Sequence, residues 1–278
     1  MQSQNSQIAK SISFIDYGPI AFDSFWRLPD DEFKEYPLVL FTSRVSTNNQ
    51  QSIYYTQYLR TDIPIGGNHT LTFRIPYHYF QVKPDIAQNL DMANDSGTEF
   101  GDIDIIFNIS FLKNVLNKNT KNRLSIYLTA EMHTAPTGRE NRQFTDVLKL
   151  LGTANAVYSI VKNKKHSLNS VLCIGAGGWD DPAPQNQNHA IKISSKLNYN
   201  LNLNNNNGIG VFLGETFISA EGDNNKGIYW KAGFNYWKFN GIQFGLNLGL
   251  LKYLNESNVF VRQYGFSASV PIKWHKKL

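Results

Sequence analysis

A single cysteine, Cys173, in a chain of 278 residues leaves no internal disulfide and no cysteine-based zinc site. Long apolar runs are also missing. No stretch approaches the ~18 consecutive apolar residues of a membrane-spanning helix, so a helical membrane protein is excluded. Concentrated charge of one sign is absent too. Lys and Arg (27) outnumber Asp and Glu (22) for a net charge of +5, but the cations are dispersed along the chain. The few basic clusters, Lys162-Asn163-Lys164-Lys165 and Lys276-Lys277, fall in a predicted turn and at the tail. A nucleic-acid surface needs a concentrated basic face with aromatics beside it, so no nucleic-acid partner is expected. No Gly-x-Ser-x-Gly and no phosphate-binding glycine loop occurs, and Gly175-Ala176-Gly177-Gly178 ends a predicted strand rather than opening a helix. The start, Met1-Gln2-Ser3-Gln4-Asn5, has no apolar signal region, so the chain is read as a mature one whose export signal has been removed.

What the sequence does contain is alternation. From Pro37 to His275 it divides into roughly twelve segments, most alternating apolar and polar residues and separated by turn-formers. In Asp102–Phe111, Ile103, Ile105, Phe107, Ile109 and Phe111 share one face, and Asp102, Asp104, Asn108 and Ser110 the other. Leu71–Phe80, His189–Leu201, Gly241–Leu251 and Gln263–Ile272 read the same way. A period of two is that of a β-strand, and ~9–11 tilted residues cross a bilayer. Leu38–Val45, Ile53–Ile63, Ser167–Trp179 and Ile209–Ser219 read as strands of ambiguous phase. A soluble β-sandwich also alternates. The length of the segments, aromatics at their ends and a polar face rich in Gly, Ser and Asn favour the membrane. The expected fold is all-β: a transmembrane antiparallel up-and-down barrel of the outer-membrane type over 37–278, with about 12 strands. Residues 1–36 form an N-terminal periplasmic extension or a plug. Longer connections at 82–100, 134–149 and 179–188, with Glu221–Lys226 and Asn255–Asn258, fall on one side, taken as extracellular. The turn near Lys113–Lys121 is the weakest fit to the short side.

Charged residues in phase with the polar face are candidates to line the lumen: Arg74, His78, Asp102, Asp104, Glu131, His133, Lys192, Lys196 and Lys231. Rings of such groups tune pore selectivity, and they also fill a narrow barrel. Glu131-Met132-His133 puts a carboxylate and an imidazole on one face. Two ligands are too few for zinc, so the pair reads as structural or pore-lining, and no metal or cofactor is expected.

One stretch resembles a known family. Phe100-Gly101-Asp102-Ile103-Asp104-Ile105 opens a strand, a hairpin follows, and Ala135-Pro136-Thr137-Gly138 closes it. This is similar to the outer-membrane channels named for the meta-pathway of phenol degradation. The resemblance implies uptake of hydrophobic or aromatic compounds. The leading expectation is thus a passive channel in a Gram-negative outer membrane, with outer-membrane lipid and a small-molecule solute as partners. A non-conducting subunit or scaffold of an envelope complex, with protein partners, is one alternative. A lipid-modifying enzyme is a second, although no enzymatic chemistry is expected.

Overall fold

The computed structural model describes residues 28–29, 37–48, 53–66, 69–81, 83–84, 95–100, 103–116, 123–133, 149–163, 165–179, 189–203, 207–220, 226–237, 242–254 and 260–272. Its strands are β1 (Leu38–Asn48), β2 (Ile53–Ile65), β3 (His69–Gln81), β4 (Ser96–Phe100), β5 (Asp104–Leu116), β6 (Arg123–His133) and β7 (Lys149–Lys162). They continue as β8 (His166–Trp179), β9 (His189–Asn202), β10 (Gly208–Ala220), β11 (Lys226–Trp237), β12 (Gln243–Tyr253) and β13 (Phe260–Pro271). All pairings are antiparallel and, apart from β4 and β5, join sequence neighbours, and β13 pairs with β1 from Leu38↔Pro271 to Asn48↔Val261. The sheet is a closed ring. β4 and β5 both pair with β3, at Tyr77–Gln81 and His69–Arg74 respectively. The 13 strands therefore make twelve staves, as the sequence led us to expect.

Two details depart from the sequence reading. Ser96–Phe100, expected inside a long loop, is the strand β4, and the ring of Phe100 lies edge-on to Tyr77 at 5.1 Å. The connection expected at Lys113–Lys121 contracts to 117–122, because register shifts after Ser110 and Leu112 carry β5 on to Leu116. Such bulges bend a strand without ending its ladder.

Connections at one end are 49–52, 82–95, 134–148, 180–188, 221–225 and 254–259, and at the other 66–68, 117–122, 163–165, 203–207 and 238–242. The short turns are built by local chemistry. Gly66 sits at φ 51°, a left-handed conformation that suits glycine, and its carbonyl accepts from His69 N. The Asn163 side chain accepts from the backbone N–H groups of Lys165 (2.9 Å) and His166 (2.6 Å).

The closed ring fixes the phase of every stave. Even-numbered residues of β1–β3, β5 before its bulge, β9 and β10 point inward, and odd-numbered ones on β6, β7 up to its irregularity at Ser159, β8 and β11–β13. Outward positions carry large apolar side chains in the open, including Leu246 and Leu248, each 60% exposed. The buried side chains face inward, and most of them are polar or charged, including Asp62, Thr72, Arg74, His78, Asp104, Glu131, Asn155, Lys192, Thr216 and Gln263. An apolar outside around a polar inside inverts a soluble protein and matches a membrane barrel.

Candidate functional site

The barrel interior holds two unlike walls. On β1–β6, cations and carboxylates interleave. Asp62 accepts from Arg60 Nε at 2.7 Å and from Thr72 Oγ1 at 2.7 Å. Arg74 is ion-paired with Asp104 through Nε and approaches Glu131 with its Nη2 at 3.7 Å. The ring of Tyr58 lies between two guanidiniums, those of Arg44 and Arg74, each 5.1 Å from its centroid. His78 Nδ1 is 3.1 Å from Thr56 Oγ1, with its ring edge-on to Tyr58. Asp62, His78 and Asp104 are fully buried. Packing ions this tightly is tolerable because the cations and carboxylates pair, Arg60 with Asp62 and Arg74 with Asp104 and Glu131.

On β7–β13 the only Asp or Glu is Glu215, and it points outward. Lys192, Lys196 and Lys231 face in. Lys192 is buried, whereas Lys196, Lys231, Asn235, Asn247 and Ser267 keep part of their surface accessible. Glycines keep this wall thin. A Cβ on Gly249 would come within 2.5 Å of Tyr229 Oη, so the tyrosine lies flat in the glycine's place. Its hydroxyl donates to Gln263 at 2.6 Å, and Gln263 Nε2 donates to Ser46 at 3.3 Å. Large side chains thus lie along the wall rather than across the bore.

Leu28 and Pro29 lie inside the ring. A Cβ on Gly214 would meet Leu28 Cδ1 at 2.6 Å, and Lys196 Nζ donates to the Pro29 carbonyl at 3.4 Å. Both wall residues are inward-facing and adjacent in register.

Of the residues singled out from the sequence, Arg74, His78, Asp104, Glu131, Lys192, Lys196 and Lys231 lie at inward positions. The structure joins Arg74, Asp104 and Glu131, and sets the three lysines across the barrel from them. His133 is opposite Asp104 in register. Asp102, with the Gly101-Asp102 and Pro136-Thr137-Gly138 motifs, lies outside the described residues, as do residues 1–27. Sequence reasoning missed Arg44, Tyr58, Arg60 and Asp62. Their only signal was the uninterpretable phase of β1 and β2.

Comparison with solved structures agrees on the fold. The chain superposes on a crystal structure of an outer membrane channel from Pseudomonas putida F1 with a TM-score of 0.55 and 14% identity, covering 88% of this chain and 98% of that one. The NanC porin gives 0.51 at 10% identity, covering 84% and 100%. The fold is that of an outer-membrane barrel. No protein-family model matches the chain, and no curated protein matches it.

Proposed function

We propose that this barrel is a passive channel for small solutes in a bacterial outer membrane. The observation that carries this reading is the charge arrangement among the described strands: a wall of inward lysines, Lys196 and Lys231 partly accessible, facing a buried wall where cations pair with carboxylates. In a bore with low-dielectric walls, the net charge of a wall is felt by any passing ion. The channel favours anions, and no chemical step is needed: Glu131, held beside Arg74 in the interior, has no access to lipid. The resemblance to the meta-pathway channels and the inward rings of Tyr58, Phe212 and Tyr229 support small aromatic acids as the solute class. The test is reversal potential across a planar bilayer under a KCl gradient. A sign favouring chloride supports the reading, and a sign favouring potassium refutes it.

A second reading has its own observation. In it residues 1–36 plug the barrel, a reading supported by Leu28 and Pro29 inside the ring, and a plugged barrel conducts nothing. Removing residues 1–36 separates the two: a silent chain that then conducts is a gated channel, and one that stays silent is a scaffold.

A further inference from the structure

The outward face is not uniformly apolar. At the long-loop end, three cations point outward from three adjacent staves: Lys226 at the start of β11, Lys252 near the end of β12 and Arg262 at the start of β13. All three are exposed. Lys252 stands opposite Ile228 on one side and Phe260 on the other. Lys226 and Arg262 are therefore its diagonal neighbours, about 7–8 Å away at the backbone. Side chains of this length converge easily on one group. Arg262 is braced over the Phe260 ring at 5.2 Å. Among the described strands, these are the only Lys or Arg residues at this end in outward phase. Directly below them come Ile228, Leu250 and Tyr264, then Leu248 and Phe266, all outward. The outward carboxylate Glu215 lies deeper, two outward positions below Ser219 on β10.

We infer that this triad holds a phosphate of an outer-leaflet lipid, with the lipid's acyl chains lying on the apolar strip beneath. Three converging cations make a strong site for a doubly charged oxyanion. The same three, exposed in water with no anion, would only repel one another. The apolar strip below selects a lipid over a free ion. This inference rests on the outer-membrane reading but not on conduction.

The test uses the full chain in detergent, with native mass spectrometry reading bound diphosphoryl lipid A. Three probes are compared: lipid A, the same lipid with its phosphates removed, and inorganic phosphate as competitor. Replacing Lys226, Lys252 and Arg262 together with Gln is expected to weaken lipid A binding about a hundredfold, at roughly fivefold per cation. The interior pair Lys192→Gln and Lys196→Gln, which also removes cations, should leave binding unchanged. Stripping the phosphates should weaken binding as much as the triple substitution. Equal binding by the triple variant, or by phosphate-free lipid, overturns the site. Full competition by inorganic phosphate at the lipid's own concentration shows a free-phosphate site and overturns the lipid. Conductance is measured on the same samples. A silent wild type that still binds lipid A through the triad fails as a channel and keeps the site. A conducting wild type whose triple variant binds normally does the reverse. A wild type that does not enter liposomes sinks the membrane reading itself.

Discussion

Replacing Leu248 with Arg is the sharpest test of which face meets lipid. Leu248 is the central residue of β12 (Gln243–Tyr253), with five residues on either side. At ~3.3 Å per residue and a tilt near 45°, those five residues span about 12 Å vertically, half of a ~25 Å apolar band. Leu248 therefore sits at the midplane. Its register partners are Ala232 and Tyr264, which offer no carboxylate. Arginine there is expected to cost ~2–4 kcal/mol, or roughly thirty- to a thousandfold in the folded fraction. The matched control is Asn247→Arg, one residue away on the inward face and flanked by Gly233 and Gly265. That site is partly accessible and has glycines on both sides, so the change is expected to cost under about 1 kcal/mol. Urea unfolding of the chain in liposomes, followed by the gel shift between folded and unfolded barrel, reads both. Equal losses would refute the argument, because a fold with water on both faces has no midplane.

Lys192→Gln with Lys196→Gln is expected to shift reversal potential toward cations, and the shift should shrink between 0.1 M and 1 M salt as the Debye length falls from ~10 to ~3 Å. Arg74→Met should cost ~3–5 kcal/mol of unfolding free energy by leaving Asp104 and Glu131 buried beside no guanidinium from that position; adding Asp104→Asn should recover part of it in the same unfolding assay. With Cys173→Ser as background, cysteines placed at Leu28 and Gly214 should cross-link under mild oxidation and lower conductance reversibly with reductant; failure to cross-link places Leu28 elsewhere in the native protein.

The staves differ in how legibly they were written. β3, β5, β9, β12 and β13 have apolar outward rows and polar inward rows, so period two names both element and face. β1, β2, β8 and β10 blur the code from both sides. Outward they carry Ser43, Gln57 and Glu215, and inward Leu40, Tyr58, Val171, Cys173, Phe212 and Ile218. Apolar side chains inside pack against one another or lie over glycines, which no single strand's pattern can announce. β4 was illegible because Ser96-Gly97-Thr98-Glu99-Phe100 has no apolar alternation, and only its ladder with β3 makes it a strand. The interior ion pairs join residues on different staves, with Arg74 and Asp104 30 residues apart. Phase could place each on the inside, but register alone brings them together.

The seam between β1 and β13 sets how this molecule can be made. Gln263 and Ser46, bonded across the seam through the side chain of Gln263, are 217 residues apart in the chain. Every other stave finds its partner within a hairpin, but this one waits for the last strand. Until then the edges of β1 and β12 are open ladders, able to pair with any passing strand. Local hairpins come early, and the long closure comes last and slowly. Losing β13 would leave two sticky edges rather than a barrel one stave smaller. An incomplete chain is thus an aggregation hazard, and insertion and closure must run as one guarded event.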